Sequence, residues 1–384
     1  MHIDAVRDLR LQPRDIAVVP TGELLTFSWS REGMHLDAYD GDLGTLWSLN
    51  LGPRALGFRL DKEGTLWVID RAGASAFTMK GEVMTRIDAP GLERMEVAAL
   101  TFVDGDLVFA YQHGEDEPPD RPGLVRVTRK GVVRWSSRLS TEAVVFGGDP
   151  SDRDDTVDAR DRLHPFGWVS GYYKAGELTV SDDRLLAVYS DTRTGLAIGY
   201  VVSLDAGELR YATERGPIHC VAPAGDGAFL IGYMGYGEFE TSWYVRDGSV
   251  QTRWKSHGHV VISDHDIRVI ELENIIPSRS RLARLMPGGK VVRGDLLEGY
   301  YTSEPYVYGD GRILFAREGM MIAADDLMID ERVRIVPTGV KDAFHTRVLA
   351  GRDGVFTTWS TNRPAPKVWT PEWVGHSGIV HLAI

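Results

Sequence analysis

"DGDLGTLWSLNLG", residues 40–52, sets a Gly-containing turn before a strand-like run centred on Trp47. The same wording returns along the chain. Anchored on the turn, the later copies are "MKGEVMTRIDAPG" (79–91), "RKGVVRWSSRLS" (129–140), "LDAGELRYATERG" (204–216), "RDGSVQTRWKSHG" (246–258), "PGGKVVRGDLLEG" (287–299) and "IDERVRIVPTG" (329–339). The anchors fall about 40 residues apart, except where an acidic insert near 145–174 stretches one interval. A period of this size marks a repeat architecture.

Working outward from the phrase, each interval has one internal order. A short apolar strand, a tight turn and a stronger strand follow it, as in "ALGFRLDKEGTLWVID" (55–70), "VAALTFVDGDLVFAY" (97–111) and "PYVYGDGRILFAREG" (305–319). The turns carry Gly or Asp because such hairpins need positive φ at a central residue. A third strand comes next, such as "GASAFTM", "GLVRVTR" or "SRLARLM", and the phrase is the fourth. No segment sustains a 3.6-residue period. Four antiparallel strands per repeat predict an all-β fold, a single β-propeller domain over residues 1–384 with eight four-stranded blades. One blade has two apolar faces and buries both only between neighbours. Blade one starts at "DIAVVPTGELLTFSW", and "FHTRVLAGRDGVFTTWS" starts the eighth, which "HIDAVR" from the N-terminus could close. Seven blades with an irregular C-terminal segment is the alternative. Trp47, Trp135 and Trp254 are read as filler between the outer strands of adjacent blades.

The blade wording resembles the pyrroloquinoline-quinone-like, WD40-like repeat propellers. "GTLWVID…GASAFTMKGEVMTRID" and "DGDLGTLWSLNLG" carry the resemblance, which is one of blade construction. That group includes quinoprotein dehydrogenases and non-catalytic scaffolds. The adjacent cysteine pair of the dehydrogenases is absent, and Trp stands in only three of the seven phrases. The resemblance therefore implies the fold and no activity.

Composition narrows the partners. The 384 residues are 43% hydrophobic and 26% charged, with a formal charge of −12, and no dense Lys/Arg run offers a duplex-binding surface. Nucleic acid is not expected as a partner, and neither is a membrane. The N-terminus lacks the apolar core of a secretory signal, and no stretch reaches the roughly 18 apolar residues of a membrane span. Cys220 is the only cysteine, so no intrachain disulfide forms. A cytoplasmic protein of bacterial type is expected.

Loop lengths point to a working face. Turns between strands one and two and between three and four are short. The other class is expected to be long: 112–123, 232–243, 272–281 and the blade-to-blade segments 145–174, 298–304 and 338–345. Binding usually sits on long loops over a rigid scaffold. The residues that would rim the channel there are Asp15, Arg54, Glu96, His219, His257, His259, Tyr300, Tyr301, Glu304 and His345, with His164, Phe166, Trp168, Tyr172 and Tyr173 from the insert. Of these, Arg54, His164, Phe166, Trp168, Tyr172, His219, His259, Tyr300, Tyr301, Glu304 and His345 form the candidate ligand-binding set. No cofactor is favoured. If a divalent metal binds, His164, His219, His259 and His345 are its candidate ligands, since neutral imidazole suits transition ions. Counted back from the hairpin turns, however, these histidines fall out of step, and a one-residue offset turns a side chain to the other face. The insert "GDPSDRDDTVDARD" fails as a calcium loop, with Val157 at the sixth place and Leu163 at the twelfth. Nucleophile-elbow, phosphate-loop and dinucleotide signatures are missing.

Three functions stay open. The first is a non-catalytic propeller that holds a small molecule or peptide-like ligand at the long-loop face. The second is a metal-dependent lyase, hydrolase or oxygenase using the channel histidines, and the third is a scaffold for a partner protein.

Overall fold

The computed structural model describes residues 1–9, 11, 13–30, 33–90, 95–113, 123–139, 163–165, 178–191, 197–234, 239–256, 258–263, 266–275, 278–298, 303, 305–308, 311–337, 343–361 and 377–384. All seven phrases are fourth strands of antiparallel sheets: Thr45–Gly52, Val83–Asp88, Val133–Arg138, Leu209–Ala212, Val250–Trp254, Val291–Glu298 and Met328–Arg334. They belong to blades 1 to 7, at residues 13–52, 55–88, 95–138, 163–212, 218–254, 258–298 and 306–334. The eighth blade takes Phe344–Ala350, Val355–Ser360 and Ser377–Ala383, and the N-terminal strand His2–Leu9 is its fourth. That closing pair is antiparallel, with Arg7 opposite Ile379 and His2 opposite Ala383. The fold is an all-β, eight-bladed β-propeller. The helical content of the described residues is one 3-10 turn at Pro287–Gly289. No helix among them is long and apolar enough to cross a membrane. Blade 4 departs from the rule, because Leu163–Pro165 and Thr179–Ser181 share the first-strand place against Arg184–Asp191. The rest of the expected insert lies outside the described residues.

The chain divides into two compact units, residues 1–65, 78–82 and 256–384, and residues 66–77 and 83–255. Each has its own core, and in each the second strands explain it. A strand covered on both faces reads as a nearly continuous apolar run whose alternate residues serve opposite neighbours. In the second unit Phe109 packs with Trp67 and Ile69 of blade 2, while its neighbour Val108 packs with Leu185 and Tyr200 of blade 4. Leu186 then turns to Phe229 and Tyr244 of blade 5. In the first unit Phe315 joins Val261 and Ile270 of blade 6, and Leu314 joins Val355 and Trp359 of blade 8. Phe356 meets Ile16 and Leu24 of blade 1.

The recurring Trp and the recurring Gly turn out to be two halves of one contact. Trp47 Nε1 donates to Met79 O, in the following blade's turn between strands three and four. Trp135 Nε1 donates to Leu204 O of the next such turn at 2.8 Å. Gly207 of that turn has φ +69°, and a Cβ there would stand 2.5 Å from the Trp135 ring. The turn therefore needs Gly for its backbone and for the indole. Arg126 strengthens the same junction: Nε donates to Asp106 at 2.9 Å and Nη1 to Leu204 O at 2.9 Å. Trp254 differs from the expectation. It pairs across from Thr241, two residues beyond the Trp135 place, and stacks on Trp243 of its own blade at 6.3 Å. The residue at the Trp135 place in blade 4 is Tyr211, four residues after the turn glycine.

Two expected long loops are strands instead. Ala228–Met234 and Phe239–Tyr244 leave only 235–238 between them, and Asp266–Ile275 and Ser278–Leu285 leave only 276–277. Several polar residues that read as loop sequence are buried within these sheets, Thr241, Ser242 and Ser280 among them. The connection after blade 7's second strand is the two-residue turn Glu318–Gly319. Long-loop segments 114–122, 140–162, 299–302 and 338–342 lie outside the described residues.

Candidate functional site

Bulges in the first strands decide what each of them presents. In blade 1 Pro13 faces Ser28 and Asp15 faces Phe27, so Arg14 is an inserted residue. His219 is inserted in the same way in blade 5, between Ile218 opposite Tyr233 and Cys220 opposite Gly232. In blade 8 the shift falls between His345, opposite Trp359, and Val348, opposite Thr357. Blade 6 has no shift, and His259 simply faces Ile270. A bulge slips the pleat by one and re-aims the residues beside it. This is why the histidines cannot be matched by counting back from a turn.

Within the first unit, the first strands of blades 8, 1 and 2 set a charged row. Arg347 Nη2 donates to Asp15 Oδ1 at 2.8 Å. Arg59 Nη1 stands 3.9 Å from Asp15 Oδ2 and donates to Phe58 O at 2.9 Å. Ile16 N also donates to Asp15 Oδ1, at 2.9 Å. The three side chains keep 21–33% of their surface in contact with solvent. Ion pairs this exposed contribute only about 0–1 kcal/mol each. Arg14, beside Asp15 in the bulge, is buried enough that desolvation lowers its pKa. Together the row offers guanidinium donors for a carboxylate and a carboxylate for an N–H group.

His345 serves the scaffold. Its Nδ1 donates to Thr358 O at 2.9 Å, and Nε2 accepts from Gly319 N of blade 7 at 3.0 Å. Burial pushes its pKa down to about 4, so the ring is neutral and both nitrogens are occupied by backbone. His219 and His259 are half-buried, the former in the second unit and the latter in the first. Blade 7 separates His259 from His345. Arg54 is exposed in the two-residue link between blades 1 and 2. The backbone of His164 pairs opposite Ser190. Phe166, Trp168, Tyr172, Tyr300, Tyr301 and Glu304 lie outside the described residues. Among the described residues, no three His, Cys, Asp or Glu side chains are grouped so as to share a cation.

Arg59 and Arg347 were not expected from the sequence. Their one signal was charge inside first strands that otherwise read as apolar, five residues beyond Arg54 and two beyond His345.

No protein-family model matches the chain, and no curated protein matches it. Solved structures do match. A eukaryotic initiation factor shares 10% identity over 84% of this chain and 78% of its own, with a TM-score of 0.50. Virginiamycin B lyase from Staphylococcus aureus shares 12% over 86% of this chain and 95% of its own, at 0.46. The WD40 domain of Neurospora crassa Pan2 shares 12% over 85% and 89%, at 0.44. Likeness at such identity concerns the fold.

Proposed function

We propose that this chain is a non-catalytic, ligand-binding propeller of the cytoplasm. Its ligand is a small or peptide-like molecule that carries a carboxylate and an N–H group. The observation that carries this reading is Asp15 held between Arg347 and Arg59, solvent-accessible and set on the first strands of three successive blades. A peptide-like ligand has complementary groups at both ends: its carboxylate suits a guanidinium fork, and its amine or amide suits Asp15. Rigid strands supply the positioning, so little ordering cost falls on the site.

Committing both nitrogens of His345 to backbone weakens the metal-dependent alternative, which would have to draw on His164, His219 and His259 alone. A propeller can also host a protein partner, and the same experiment addresses that case. Thermal melts of the whole chain would be recorded with a panel of dipeptides, free amino acids and dicarboxylates. The expected result is a rise of several degrees with one class. That rise should vanish in Arg347→Gln and Asp15→Asn, with the unliganded melt little changed. If no class shifts the melt, or if the shift survives both substitutions, the proposal fails.

A further inference from the structure

The contact between outer-strand ring and turn glycine changes character at the junction of blades 4 and 5. Tyr211 stands there in the place that Trp47 and Trp135 take in blades 1 and 3. Its ring packs on Gly248, where φ is +89° and a Cβ would lie 2.6 Å from Tyr211 Cγ. It also stacks on Tyr244, at 6.4 Å between centroids and 11° between planes. The indoles of Trp47 and Trp135 donate to a turn carbonyl. The Tyr211 hydroxyl, though buried, makes no hydrogen bond among the described residues.

Beside this junction lies an open cavity of about 460 Å³, lined by Arg184, Arg210, Val245, Arg246 and Asp247. That volume suits a metabolite-sized ligand. Three guanidiniums face one lining carboxylate, in a chain whose formal charge is −12. Asp247 is engaged in its own turn, accepting from Ser249 N at 2.8 Å and Ser249 Oγ at 2.6 Å. These bonds hold its carboxyl below the usual range. Outside the lining, Asp183 pairs with Arg184 at 3.4 Å and with Arg246, and Glu208 pairs with Arg210 at 3.1 Å. Those contacts orient the guanidiniums without exhausting them, because each carries five N–H donors in a planar fork. Arg184 Nε in particular is buried and makes no hydrogen bond among the described residues.

We infer that this cavity is an oxyanion site, binding a small molecule through a phosphate or carboxylate group held by Arg184, Arg210 and Arg246. It belongs to the second unit, whereas the Asp15 row belongs to the first, so either can fail alone. Calorimetric titration of the whole chain at about 0.15 M salt with inorganic phosphate, pyrophosphate and citrate tests it, and the three probes separate phosphate from carboxylate preference. Saturable binding of at least one probe is expected. Arg210→Gln combined with Arg246→Gln should weaken it about tenfold or more, through lost charge-assisted hydrogen bonds. Both side chains are well exposed (40% and 53%), so the unliganded melt should hold. Arg347→Gln should leave binding unchanged. Binding that survives the double substitution overturns the inference, and so does the lack of saturable binding for all three probes up to about 10 mM.

Discussion

Gly207 and Gly131 occupy equivalent turns with nearly the same backbone, at φ +69° and +78°. A Cβ on Gly207 would strike Trp135, whereas one on Gly131 meets nothing within 4 Å. The outer strand of blade 2, which precedes the Gly131 turn, carries Thr85 in the Trp place. Both Gly→Ala substitutions incur the left-handed penalty of about 1 kcal/mol. Only Gly207→Ala adds overpacking, about 1–3 kcal/mol more. Urea denaturation of the two variants should show that gap, and equal losses would disprove the indole–glycine account. His345 supports a second residue-scale prediction. Its folded pKa is about 4 against an ordinary 6.5, so the unfolded chain takes up the proton first as pH falls. Stability from neutral His345 is complete above about 6.5 and drains away toward 4, by about 3 kcal/mol at most. His345→Gln keeps a donor and an acceptor but cannot titrate. Its stability should fall less steeply than the wild type's between pH 6.5 and 4, and parallel curves would refute the assignment.

At the scale of elements, His2–Leu9 is a mostly exposed strand that completes blade 8 chiefly through backbone bonds. Arg7 fastens it to blade 1, with Nη1 on Leu43 O, Nη2 on Thr45 Oγ1 and its guanidinium 5.0 Å above the Tyr39 ring. Deleting residues 1–9 should bare the edge of Ser377–Ala383, lower the melt and promote association seen by size exclusion. A peptide of residues 1–9 added in trans should reverse both effects. An unaltered melt after deletion would show the strand to be dispensable. Blade strands were legible because alternation and the turn glycines are local signals, and "HIDAVR" could be placed once seven phrases had been counted. The bulges at Arg14, His219 and 346–347 were not legible. A single inserted residue leaves no mark in the local alternation that the hairpin turns set. The Asp15–Arg347 pair joins residues on strands at opposite ends of the sequence, so only the closure of blade 8 against blade 1 brings them together. Tyr211 carries no such local signal: it stands at the place that Trp takes in blades 1 and 3, and an aromatic there reads as the same filler.

For the whole molecule, charge governs colloidal behaviour. Carboxylates outnumber Lys and Arg by 55 to 43, and the pI is about 5.4. Light scattering at fixed concentration should peak as pH approaches that value and subside above pH 7, where net repulsion returns. A flat profile would mean that surface charge does not control association. Eight blades were countable from the repeat. The division into two compact units was not, since the same phrase recurs across both. The closing strand also sets a schedule. Its partner, Ser377–Ala383, is made some 370 residues after it, which at ordinary translation speeds is an interval of roughly tens of seconds. Throughout that interval His2–Leu9 waits without its partner while blade after blade emerges behind it. Blade 8 therefore cannot close until Ser377–Ala383 has been made, and the edge of His2–Leu9 stays open until then.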